Sequence, residues 1–161
     1  MASQTNQEKC GETGGAQRYR RILAAIDGSE CSAHALGTAI RLAKDEGAEL
    51  TILHVMVISL TLYSGDVSQP LGRVEEKEKL EGKRLMTKAE SFARNAGVEP
   101  KVVMTEAKDT AVKGITDYAL GHDIDLIVVG TRGLGGLRRL LLGSVAAGVV
   151  RCAPCTVMVV K

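Results

Sequence analysis

The residues of this 161-residue chain whose spacing points most directly to chemistry are glycines. Gly130-Thr131-Arg132-Gly133 is followed, after nine residues, by Gly143-Ser144. A turn of related composition, Asp27-Gly28-Ser29, closes an apolar run much earlier in the chain. Glycine lacks the Cβ that holds backbone N–H groups away from phosphate oxygens, and it permits the positive φ that anion-binding nests use. Gly143-Ser144 opens a helical pattern, and the unpaired N–H groups and dipole of a helix start attract negative charge. Hydrogen bonds to a charged group contribute roughly 1.5–3 kcal/mol each, so two or three can hold a polyphosphate. Arg132, Arg138 and Arg139 add positive charge to the same stretch. A Gly-x-x-Gly alone reads equally as a flexible connection. The apolar run before it and the helix after it favour the anion, but from the residues alone both readings stay open.

Other groups also admit both a functional and a structural role. Asp27 ends an apolar run beside a glycine, which suits a functional carboxylate; its alternative role is to cap the helix that follows. Cys152-Ala153-Pro154-Cys155 has the spacing of a redox pair. A thioredoxin-type pair follows a strand and opens a helix, where the dipole lowers the first thiol's pKa. This pair ends a helix and enters a strand, so it is expected to be two buried structural thiols. Zinc would need two more ligands, and neither Cys10, Cys31 nor the three histidines are suitably spaced. His34, His54 and His122 lie in no nucleophile motif such as Gly-x-Ser-x-Gly, and His54 reads as a packed or capping residue. No general base or Walker lysine lies near the glycine loop, so any hydrolysis of a bound triphosphate is expected to be slow.

The elements that must position these groups follow from periodicity. Apolar runs at 21–27, 50–57, 101–104, 126–129 and 156–160 read as strands. Between them, helical spacing predicts helices over 29–46, 75–95, 109–120 and 144–152, the first capped by Ser29 and stopped by Gly47. Leu80, Leu85, Met86, Ala89 and Phe92 are expected on the inward face of the second helix. Alternation of this kind demands right-handed crossovers and a mostly parallel sheet with helices on both faces. Ligands of such sheets sit beyond the carboxyl ends of the strands, where both glycine turns fall. Residues 1–17 are polar and aperiodic, and are expected to form a disordered tail before one domain over 18–161. Residues 59–73 read as a loop.

Bulk properties close off several classes. With 21 basic and 19 acidic residues the net charge is +2, too little for a duplex nucleic-acid binder. Aromatic residues make up 2% of the chain, which disfavours the base-stacking platforms of single-strand binders. No apolar stretch is long and unbroken enough to span a bilayer, and the start of the chain has no signal-peptide pattern. A cytoplasmic protein is expected.

On these motifs the chain resembles the universal stress protein family. Its nucleotide-binding members carry Gly-x-x-Gly, nine residues, then Gly-Ser or Gly-Thr, met here by Gly130, Gly133, Gly143 and Ser144. RILAAIDGSE, ILHV, DLIVVGTRG and LLLGSVAAGVVRCAPCTVMVV are similar to their family counterparts, so the resemblance covers about residues 19–161. It implies an open five-stranded parallel sheet of order 3-2-1-4-5, a Rossmann-like α/β fold, with ATP, ADP or AMP across its carboxyl edge, and Mg²⁺ beside a triphosphate. Carried over by position, Ala25 and Ile26 would line the adenine slot, Asp27 would lie beside the ribose or a metal, and Val55 would offer backbone bonds to adenine. Val129, Gly130, Arg132 and Gly133 would line ribose and phosphates, and Gly143, Ser144 and Val145 would hold the phosphate tail. The resemblance also implies a homodimer through the last strand, Thr156 to Val160, acting as a nucleotide-dependent switch in a stress response. Asp109-Thr110-Ala111 departs from the Gly-x-Pro common in relatives, which touches the sugar contacts. The alternatives are a dimeric interaction module with an empty pocket and, behind it, a thiol oxidoreductase using Cys152 and Cys155.

Overall fold

A computed structural model describes residues 19–57, 71–134 and 142–161. Among these residues five strands and four helices alternate: β1 (Arg21–Ala25), α1 (Glu30–Glu46), β2 (Glu49–Val57), α2 (Leu71–Asn95), β3 (Pro100–Ala107), α3 (Ala111–Gly121), β4 (Leu126–Gly130), α4 (Ser144–Cys152) and β5 (Thr156–Val160). The strands form one sheet, parallel as the alternation demands and of the order β3-β2-β1-β4-β5 that the resemblance implies. The expected tail 1–17, Arg138, Arg139 and most of the expected loop 59–73 lie outside the described residues.

Side-chain alternation divides the interior into two layers. Ile22, Ala24 and Ile26 of the first strand and its exit point to one side, where they meet Ala35, Ala39 and Ile40 of α1 and Met86, Ala89 and Ala93 of α2. Leu23, Leu53, Ile127 and Val129 point to the other, against Ile115 and Ala119 of α3 and Ala146 and Val149 of α4. Ile22, Leu23, Leu50, Ile52, Leu53, Leu126 and Ile127 are among the large side chains removed entirely from water, each worth about 1.5–3 kcal/mol. Burial on both faces explains why β1 and β4 read as unbroken apolar runs.

The boundaries differ where the sequence signal is weakest. α2 begins at Leu71, not Glu75. Gly72 looks like a breaker, but it falls in the first turn, where the amides have no partner within the helix in any case. β3 runs on to Ala107 because its pairing with β2 extends to Val57↔Ala107. It is an edge strand, and Lys101, Thr105 and Glu106 break the apolar pattern of a buried one. α3 starts at Ala111, with Thr110 as the cap accepting from the Lys113 amide at 3.2 Å.

Leu80 and Phe92 are not inward-facing. They are 49% and 52% exposed, and the buried stripe of α2 is Gly82, Met86, Ala89 and Ala93. Small residues on that stripe bring the helix close to the sheet: a Cβ on Gly82 would meet Met104 Cε at 2.9 Å. Phe92, one position from Ala93, is turned aside along the flank of α1 near Gly37.

Candidate functional site

The strand order reverses between β1 and β4, the chain adding β2 and β3 on one side of β1 and β4 and β5 on the other, and this opens a crevice at the carboxyl ends of β1 and β4. A cleft of about 450 Å³ lies there, within the range of small-molecule sites. Ala25, Ile26 and Asp27 line it from the end of β1, Val55 from β2, and Val129 and Gly130 from β4. Arg132 and Gly133 border it from the loop after β4, and Gly143, Ser144 and Val145 from the start of α4. All eleven residues singled out above thus face one space. Seven more share it: Ser32, Leu53, Ala111, Ile115, Thr131, Leu134 and Ala146. Their signals were present but indirect. Leu53 is two residues from Val55 on a strand, Ile115 is one helical turn from Ala111, and Thr131 and Leu134 sit inside or against the glycine motif.

The β1–α1 turn is built around Asp27 and Ser29. Gly28 has φ 88°, a conformation side-chained residues rarely adopt, and it reverses the chain between them. Ser29 caps α1, accepting from the Ser32 amide at 3.2 Å. Asp27 is therefore not the cap. Its Oδ1 accepts from Ser29 N at 2.9 Å and Ser29 Oγ at 2.6 Å, while Oδ2 accepts from Leu134 N at 3.1 Å. Burial pushes the Asp27 carboxyl upward. The hydrogen bonds from Ser29, with smaller contributions from the Ser32 hydroxyl and the Leu134 amide, more than offset this and hold it below the ordinary carboxylate value.

The glycines of the second loop prove to have several reasons for being glycine. Among the described residues, positive φ in glycine occurs only at Gly28, Gly47 and Gly97, so Gly130, Gly133 and Gly143 do not supply the nest geometry expected of them. Gly130 is required by packing: a Cβ there would stand 2.6 Å from the Cys31 carbonyl carbon and 2.8 Å from the Ser32 nitrogen, both backbone atoms of α1. A Cβ on Gly133 would lie 2.5 Å from Asp27 Oδ2. At Gly143 the nearest atom would be Thr131 O at 3.1 Å, a contact that small movements relieve. Gly143 is also the N-cap of α4, with φ −71° and ψ 160°, and it offers no side-chain cap. Its own amide is engaged, donating to Thr131 O at 2.7 Å. Among the described residues no acceptor takes the amides of Ser144, Val145 and Ala146, which follow it. These three donors, with the positive end of the α4 dipole, are the anion-attracting part of the cleft. The opposite wall is apolar, formed by Ala25, Leu53, Val55, Ile115 and Val129.

The remaining candidates stand apart from this cleft. His54 Nδ1 lies 2.8 Å from Ile26 O; a carbonyl only accepts, so Nδ1 carries the proton and ties β2 to the exit of β1. His34 and His122 approach the carbonyls of Lys161 and Tyr118. Cys152 is exposed, contrary to the expectation of two buried thiols, because the last turn of α4 turns it outward. Cys155 is half-buried, and burial together with the nearby Asp125 charge pushes its thiol up, away from the thiolate a redox catalyst needs. Among the described residues, no group of three or more metal-ligating side chains is assembled, and no helix is long and apolar enough to cross a membrane.

Residues 18–161 match the model of the Universal stress protein family. The chain belongs to that family. Among its relatives, universal stress protein YxiE of Bacillus subtilis is 35% identical over 149 residues, which cover 89% of this chain and 99% of YxiE. Universal stress protein UspA from Lactobacillus plantarum superimposes with a TM-score of 0.76 at 28% identity, over 90% of this chain and 99% of UspA. A universal stress protein from Archaeoglobus fulgidus, solved in complex with dAMP, gives a TM-score of 0.65 at 23% identity, over 90% of this chain and 100% of its own. That last likeness speaks to the shared fold alone.

Proposed function

We propose that this universal stress protein binds an adenine nucleotide in the cleft at the carboxyl edge of the sheet. The observation that carries the reading is one cleft with two unlike walls: an apolar slot on the β1–β2 side and the uncapped start of α4 on the other. A planar base suits the first and a phosphate the second. Ala25, Ile26 and Val55 would receive adenine, Val129, Gly130, Arg132 and Gly133 the sugar and phosphates, and Gly143, Ser144 and Val145 the phosphate tail. Asp27 is the only carboxylate among the described lining residues. A resident Mg²⁺ wants more oxygen ligands than that, so the residues fit an ion brought by the triphosphate and completed by water. Such an ion would neutralise phosphate charge, and the protein's part is to hold the nucleotide.

We read the protein as a cytoplasmic homodimer joined through β5, whose nucleotide state sets which stress-response partner it engages. Support comes from the position of β5 at the sheet edge, where its unpaired backbone groups need covering. With neither a general base nor a Walker lysine evident near the loop, hydrolysis of ATP is at most slow. The test is mass spectrometry of the small molecule released on denaturing the purified protein, followed by calorimetry with ATP, ADP and AMP. Release of an adenine nucleotide supports the reading; no nucleotide and no heat with any of the three refutes it.

A second reading, an interaction module with an empty pocket, is favoured by one observation. The amides of Leu134 and Gly143 are engaged within the chain, and Gly130 and Gly133 have packing reasons to be glycine. Their presence therefore does not by itself require a ligand, and the same calorimetry separates the two.

A further inference from the structure

The glycine loop already holds an anion, and the chain itself provides it. Asp27 Oδ2 accepts from the Leu134 amide at 3.1 Å, across 107 residues of sequence. The backbone at Gly133 is pressed so close that a Cβ there would stand 2.5 Å from the same oxygen. Oδ1 is meanwhile held by the Ser29 amide and hydroxyl. Both oxygens are thus fixed by donors from two different loops. The hydrogen bonds that fix them also favour the ionised carboxylate, outweighing the opposing effect of burial.

We infer that Asp27 is a specificity-determining residue of the cleft: its carboxylate fills the Gly133–Leu134 end of the loop as an internal anion and excludes bare inorganic polyphosphate from it. The inference rests on reading the cleft as a nucleotide site. A phosphate near Leu134 would find that amide taken and a fixed negative charge beside it. The amides of Ser144, Val145 and Ala146 have no acceptor among the described residues, so a phosphate is directed to the α4 end. A ligand is then accepted only if the part passing Asp27 is uncharged, as a nucleoside is. The apolar slot supplies the attraction for that part, which pyrophosphate and longer inorganic chains cannot use.

Asp27→Asn tests this cleanly. An asparagine side chain has one acceptor oxygen where the carboxylate has two, so it cannot take both the Ser29 and Leu134 donors, and it carries no charge. Binding of inorganic pyrophosphate and of ATP is measured by calorimetry in EDTA, on the wild type, Asp27→Asn and Asp27→Glu. The wild type is expected to bind ATP and to bind pyrophosphate weakly. Asp27→Asn should bind pyrophosphate about tenfold more tightly or better, since one like charge is removed at close range. Asp27→Glu, which keeps the charge, should show no such gain. If the wild type binds ATP but Asp27→Asn gains nothing for pyrophosphate, or Asp27→Glu gains as much, the inference is overturned. If the wild type binds no nucleotide at all, the nucleotide reading falls instead. Should Asp27→Asn not fold, the wild type still decides: saturating pyrophosphate must shift the NMR amide signals of Ser144 to Ala146 and leave that of Leu134 in place. An equal shift at Leu134 would sink the proposal.

Discussion

The two ends of the glycine motif are spelled alike and built differently. At Gly130 and Gly133 the missing side chains let the loop lie against its own protein, the backbone of α1 in one case and the Asp27 carboxylate in the other. At Gly143 the missing side chain leaves the start of α4 open to the cleft, with a neighbour at 3.1 Å that can yield. The first end is a matter of packing and the second of access. A glycine in a binding motif is therefore not, on its own, a sign of binding, and the two ends should respond to substitution in opposite ways.

The contrast breaks most visibly at Gly130. Gly130→Val must push the α1 backbone away, and overpacking of this kind should cost about 3 kcal/mol, read as a lowered midpoint in urea unfolding. Gly133→Ala displaces the Asp27 carboxylate and with it the Leu134 bond, for about 2 kcal/mol by the same measurement. Gly143→Val should cost only about 1 kcal/mol of stability, yet reduce nucleotide affinity at least tenfold in calorimetry, a ratio worth about 1.4 kcal/mol. If Gly143→Val instead unfolds the protein as readily as Gly130→Val, the two ends are not distinct. Ser29→Ala removes the α1 cap and should cost about 1 kcal/mol, visible in thermal unfolding.

The mildest probe is pH. The Asp27 carboxyl is lowered in the folded protein from an ordinary value of 3.8. Its contribution to stability is therefore fully present above that value and is lost as pH falls through the lower, folded one. The acid limb of the stability curve should be shallower in Asp27→Asn than in the wild type below about pH 4. Identical limbs would mean that the carboxylate does not tie the two loops.

Where one physical cause governed the pattern, the sequence was sufficient. β1 and β4 are buried on both faces and so read as apolar runs, and Ser29 with Gly47 bracketed α1 correctly. The edge strand β3 reads too short because only part of it is buried, and Phe92 reads as inward-facing because it lies one position from the buried stripe of α2. For the cleft, residue types announced Asp27, Gly143 and Ser144. What they could not reveal is partnership across long separations: that Asp27 faces Leu134, or that the Gly143 amide belongs to Thr131. Those bonds depend on where the chain brings distant loops together, and no local spacing records it.

Thr131 gives one such bond a mechanical meaning. Its amide donates to Val160 O at the end of β5, and its carbonyl accepts from Gly143 N, each at 2.7 Å. A single residue thereby pins the rim of the sheet to the first turn of α4, with no slack side chain in between. Any load applied along the outermost strand is felt at the helix start within one link, and a helix start drawn tight resists the strand in return.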